Sequence, residues 1–168
     1  MSDLWHVSED PALEVFHPHH NELHALDEPL VWAVDTRYWW LYWFPRDCPR
    51  ACFNANDTTT DDDVDRWLDG DRERRVSVIE SAWLDRFRSA RVYAYLLPPE
   101  TFEPWDKFHV SRETVVPLQR VELGDLLSRH AEAANELRIA PSLYPLWDRV
   151  IETSLDFSGI RLRNAVRP

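Results

Sequence analysis

The densest apolar stretch of the chain runs over residues 30–53, LVWAVDTRYWWLYWFPRDCPRACF. Leu30, Val31, Trp32, Ala33 and Val34 form an unbroken apolar run that ends in Asp35. Trp39, Trp40, Tyr42, Trp43 and Phe44 crowd together before Pro45 breaks the pattern. The run predicts a central strand feeding a short aromatic helix. Before it, LWHV at 4–7 predicts a strand, SEDP at 8–11 a turn, and the polar stretch around Pro18 a loop. After it, Ala51 and Phe53 alternate with polar neighbours and predict a strand over 50–55.

The pattern then alternates between helix and strand. Thr60 is placed to cap a helix whose first turn holds Asp61, Asp62 and Asp63 against the helix dipole. Val64, Trp67 and Leu68 give that helix its apolar stripe, and Gly70 ends it. Val76, Val78 and Ile79 predict a strand, and Ser81 opens a helix carrying Trp83, Leu84 and Phe87. RVYAYLL at 91–97 predicts a strand stopped by Pro98 and Pro99. Residues 100–109 read as an irregular connection around Pro104, and 114–123 as a strand edged by Pro117. A helix opening at Gly124-Asp125, a strand at 136–140 and a helix starting at Tyr144-Pro145 complete the alternation. Arg161 and Arg163 alternate with Ile160 and Leu162, as in an edge strand with one wet face. The expected fold is α+β: one domain over 1–168, with a split, mixed or mostly antiparallel sheet and flanking helices.

Composition narrows the function. A chain of 168 residues is long enough for one good core, and 44% hydrophobic content argues against disorder. Nine Trp exceed what a core of this size needs and suit a pocket for a flat ring. A net charge of −11 argues against non-specific binding to nucleic acid or to anionic membranes. Lys107 is the sole lysine, so arginine carries nearly all the positive charge. With no basic leader ahead of an apolar stretch, no signal peptide is expected, and no apolar run reaches bilayer length. The expectation is a soluble, cytoplasmic protein.

The chemistry-bearing residues are fewer. Cys48 and Cys52 make neither a disulfide framework nor a zinc-type ligand set, and read as reduced structural thiols. The aspartate run lacks the glycine and distal glutamate of a calcium loop, so helix capping is the expected role. His17, His19, His20 and His24 cluster on a polar loop, where an adventitious metal site is expected rather than a catalytic one, and no structural metal is expected. Three glycines leave no room for a glycine-rich phosphate loop, and nucleotide fingerprints, a nucleophile elbow and a zinc helix are absent. His6 sits within a short apolar strand, and Asp35 either caps the aromatic helix after it or faces a pocket.

Two resemblances add to this. LWHVSEDP at 4–11, VWAVD at 31–35, FPRDCPR at 44–50, SRETVVPL at 111–118, ELRIAPSLYPLWDRVI at 136–151 and FSGIRLRNA at 157–165 resemble an uncharacterised bacterial family, the domain of unknown function DUF6886. More distantly, the order of pieces resembles the rifampin ADP-ribosyltransferases and related small transferases. His6 matches that family's first-strand histidine, and Trp32 falls where it places a tyrosine. Glu103 or Asp106 falls near its catalytic acid, and Arg112-Glu113 resembles the Arg-Glu beyond it. Val7-Ser8 stands where the family has Gly-Thr, and Trp32 lacks the tyrosine hydroxyl.

The second resemblance implies an ADP-ribosyltransferase-like fold with NAD as substrate and a small nucleotide-type ligand as partner. Breaking the nicotinamide–ribose bond makes an oxocarbenium-like cation, which a carboxylate from Glu103, Asp106 or Glu113 would stabilise. His6 would orient the ribose hydroxyls, and Trp32 would stack on the nicotinamide. Arg46, Arg50 or Arg112 would hold the pyrophosphate. The implied geometry is one cleft lined by His6, Trp32 and the acid. The alternative is a binding or interaction domain that keeps the fold without the chemistry, and a metal-dependent hydrolase built on the histidine cluster is a distant third.

Overall fold

The computed structural model describes residues 2–20 and 28–167. In chain order its strands and α-helices are β1 (Leu4–Ser8), β2 (Val31–Asp35), β3 (Arg50–Asn54), α1 (Asp61–Leu68), β4 (Arg75–Glu80), α2 (Leu84–Ser89), β5 (Tyr93–Leu97), β6 (Glu103–Trp105), β7 (Phe108–Ser111), β8 (Gln119–Glu122), α3 (Leu126–Glu132), β9 (Asn135–Ala140), α4 (Tyr144–Val150) and β10 (Asp156–Ile160). The class is α+β, as the pattern predicts. Its strands fall into two compact units, each discontinuous in sequence and each built on its own sheet. The first is Met1–Trp43 with Arg91–Gly124, and the second is Phe44–Ala90 with Asp125–Pro168.

The first unit is a six-stranded sheet in the order β6-β7-β2-β1-β5-β8, with every pairing antiparallel. The central apolar run becomes β2, four of its five residues buried, and the aromatic segment after it winds into a 3-10 turn over Trp39–Tyr42. Leu4, Val31, Ala33, Tyr95 and Leu97 share one core with Phe16 and Val115. Residues 100–109, read as irregular, instead hold the β6–β7 hairpin. Its turn is closed by Asp106 at φ 52°, a left-handed position that the sequence gives to aspartate rather than glycine. The strand read over 114–123 is shorter, because Pro117 cannot donate to a ladder: β8 begins at Gln119, and Val115 makes only an isolated bridge to Phe16.

The second unit is a four-stranded sheet in the order β10-β3-β4-β9, with β4 and β9 parallel. On one face Ala51, Phe53, Val76 and Val78 pack with Val64 and Leu68 of α1 and Val150 of α4. Thr60 caps α1 as the sequence predicts, its hydroxyl accepting from the Asp63 N–H at 3.3 Å. The Asp63 carboxylate accepts from the Ser154 hydroxyl at 2.6 Å and from the Ser154 N–H at 2.8 Å. Those bonds, the hydroxyl first, hold the Asp63 carboxyl below the usual carboxylate range. A depressed folded pKa contributes stability that is complete above the unfolded value of about 3.9 and is lost as pH falls through the folded value. Asp63→Asn is therefore expected to melt below the parent at pH 7, and the gap between the two is expected to close as pH drops below about 4. Thermal melts at a series of pH values measure this, and a gap that stays constant would refute it.

Candidate functional site

Strand alternation decides which residues of the first sheet can meet. Leu4 lies across from Asp35, Trp5 from Val34 and His6 from Tyr95. Trp32 lies across from Val110, Ala33 from His109, and Glu103 from Val110. One face therefore carries Trp5, Trp32, Val34, Val110, Glu103, Trp105 and Phe108. The opposite face carries Leu4, His6, Ala33, Tyr95, His109 and Ser111.

On the first of these faces Trp32 is the hub. Its ring meets Trp105 edge-on at 5.2 Å and Phe108 at 5.4 Å. Trp32 is buried, while Trp105 and Phe108 are half-buried and form the outer wall of the cluster. Tyr42 approaches Phe108 at 6.3 Å, and Trp39 stacks on Trp5 at 4.9 Å. Glu103 stands at the end of this row with its carboxylate ion-paired to Arg112. Arg112 also forks onto Glu28, with both N–H···O contacts at 2.9 Å. That fork draws the Glu28 carboxyl below its ordinary range and raises the Arg112 guanidinium further above its own.

On the opposite face His6 is half-buried and packs on Phe16, ring centroids 4.8 Å apart. Its Nδ1 lies 3.0 Å from the Trp32 carbonyl oxygen. A carbonyl only accepts, so Nδ1 carries the hydrogen of this bond. The link between His6 and Trp32 thus runs through backbone. Their side chains project from opposite faces, and the single cleft expected to hold both is not formed by them. Of the three candidate acids, Glu103 shares the Trp32 face. Asp106 occupies the exposed β6–β7 turn, and Glu113 is exposed after β7, with its N–H on the Ser111 hydroxyl at 3.1 Å. Arg112 is ion-paired with Glu103, whereas Glu113, its neighbour in the Arg-Glu pair, is not on that ion pair. Arg46 and Arg50 belong to the second unit.

Among the loop histidines, His17 Nδ1 lies 3.3 Å from the Thr114 hydroxyl, and His19 Nδ1 lies 3.3 Å from the His17 carbonyl. His24 is outside the described residues. No group of three or more His, Cys, Asp or Glu side chains among the described residues is arranged to hold a metal ion.

Trp105, Phe108 and Glu28 escape a reading of the sequence, because the hairpin that positions the first two looks there like a connection. So does a buried polar chain in the second unit. Cys52 Sγ lies 3.5 Å from Ser77 Oγ, Ser77 lies 3.4 Å from the Asn135 amide nitrogen, and that amide contacts His130 Nδ1. All four residues are buried. His130 and Asn135 reach a cavity of about 650 Å³ whose rim holds Asp71, Glu73, Arg74 and Glu136. No local motif marks this chain, since its members come from β3, β4, α3 and β9.

An aromatic face with an arginine-held carboxylate, on a wholly antiparallel sheet of an α+β protein, is the class of arrangement the geometry defines. The chain itself belongs to DUF6886, a family of unknown function whose model matches residues 5–165 and so spans both units. No curated protein and no solved structure matches it.

Proposed function

We propose that the first unit is a binding domain for a flat, electron-poor ring of the nicotinamide type, and that it does not cleave the nicotinamide–ribose bond. The observation that carries this reading is the placement of His6 and Trp32 on opposite faces of one sheet. An enzyme of the transferase type needs its ribose-orienting imidazole, its stacking ring and its acid around one reacting carbon. Here only the ring and the acid share a face, and the acid is ion-paired with Arg112. A carboxylate so neutralised stabilises a developing cation less than a bare one. Trp105 and Phe108, half-buried over the Trp32 ring, still offer aromatic surface for stacking on an electron-poor ring.

Melting the protein with NAD, nicotinamide or ADP-ribose tests the binding, because a ligand of the native state raises stability. NAD and nicotinamide are expected to raise the melting temperature and ADP-ribose to do so less. Trp105→Ala is expected to remove the shift. Incubation with NAD is expected to release no nicotinamide. Nicotinamide release that His6→Ala abolishes, without loss of melting temperature, would replace this reading with a catalytic ADP-ribosyltransferase. No shift with any of the three would leave the unit without a nucleotide-type ligand.

A further inference from the structure

Among the described residues, Arg161 and Arg163 of the second unit make no carboxylate ion pair. β10 runs antiparallel to β3, and Ile160 lies across from Arg50. Two loops therefore emerge side by side: residues 44–49, which lead into β3, and residues 161–165, which come after β10. They are laced together by side-chain-to-backbone bonds. Arg161 Nε donates to the Arg46 carbonyl at 3.3 Å, and Asn164 Nδ2 donates to the Asp47 carbonyl at 2.8 Å. The first loop is fixed from beneath as well. Arg50 is buried, donates from Nη1 to the Cys48 carbonyl at 3.0 Å and lies over the Phe44 ring at 4.8 Å.

Arg161 has φ 56°. For a residue with a Cβ this left-handed conformation is costly, and glycine is the usual occupant. The Arg161 side chain has a visible use in this conformation, its Nε bond to the Arg46 carbonyl on the facing loop. Arg163, two residues on, is exposed, and so is Arg46 on the facing loop. The chain carries 30 acidic against 19 basic residues, so carboxylate partners are plentiful. Even so, Arg161 and Arg163 make no carboxylate ion pair among the described residues. Asp47 lies on the same platform, exposed, and its backbone carbonyl takes part in the lacing. Cys48, beneath it, adds no charge near neutrality, because burial pushes its thiol up to about 12.

We propose that the paired loops 44–49 and 161–165 form an oxyanion platform that takes a phosphate-bearing small molecule through Arg161 and Arg163, with Arg46 at its edge. Guanidinium groups match phosphate oxygens two at a time, and Arg161 and Arg163, without a carboxylate ion pair among the described residues, are available to such a ligand. The inference stands independently of the ring-binding reading of the first unit.

Calorimetric titration of the full chain with inorganic pyrophosphate at low salt tests it. One saturable site is expected, weakening as salt rises. Arg163→Ala is expected to lower affinity at least tenfold. Arg161→Gly is expected to do the same with little change in melting temperature, the relief of strain at φ 56° offsetting the lost bond to the Arg46 carbonyl. Absence of saturable binding would overturn the proposal, as would unchanged affinity in both variants. Arginine-dependent binding of an acidic peptide with none of pyrophosphate would overturn it too, by assigning the platform to a protein partner.

Discussion

Glu80→Ala is expected to lower stability by about 3–5 kcal/mol, a loss at the upper end for a single substitution. Glu80 ends β4 fully buried. Its Oε1 accepts from the Leu143 N–H at 3.0 Å, at the start of α4, and both carboxylate oxygens accept from the Val166 N–H at 3.0 Å. One side chain thus ties the end of a central strand to the start of a helix and to the C-terminal segment. Alanine would leave two backbone donors without an acceptor and open a void at the edge of a core that includes Leu143 and Ala165. Glu80→Gln keeps the shape and one acceptor oxygen and is expected to lose clearly less. Urea unfolding of the three proteins measures the difference. An alanine variant within about 1 kcal/mol of the parent would show that water replaces the carboxylate.

Gly159→Ala is expected to cost about 1–3 kcal/mol, from overpacking rather than from backbone strain. A Cβ at this position of β10 would come within 2.6 Å of Trp147 Cη2 and of Leu162 Cδ1. The indole cannot easily yield, because Phe157 meets it edge-on at 5.7 Å. Trp147→Leu should make room, so Gly159→Ala is expected to cost less in that background than in the parent. Additive losses in the double-mutant cycle would rule out this contact as the cause.

Much of the fold was legible where side-chain pattern and backbone preference agree. Thr60 before three aspartates, the alternation in RVSVIE and the stops at Pro98 and Pro99 each carry their own local reason. The β6–β7 hairpin was illegible because its two-residue turn is Asp106-Lys107, without the glycine that usually marks such turns, and because Pro104 argues against a strand. Pro104 is accommodated because β6 lies at the edge of the sheet. The candidate site failed differently. Residue types suited to one chemistry were present, but whether His6 and Trp32 share a face depends on strand register, which is set by pairing far along the chain. Glu80 and the Cys52–Ser77–Asn135–His130 chain were invisible for the same reason, being made of ordinary residues joined only by the tertiary fold.

The interleaving of the two units bears on how the protein comes into being. No single cut yields either unit as a continuous stretch, since each takes one early and one late segment. During synthesis the six-stranded sheet has all its strands once residue 122 has emerged, whereas the four-stranded sheet waits for β9 and β10. Until then the antiparallel β3–β4 pair, rich in valine, isoleucine and phenylalanine, offers a bare edge on either side. A nascent chain at that stage is the species most exposed to edge-to-edge association, and β9 and β10 act as the caps that end its vulnerability.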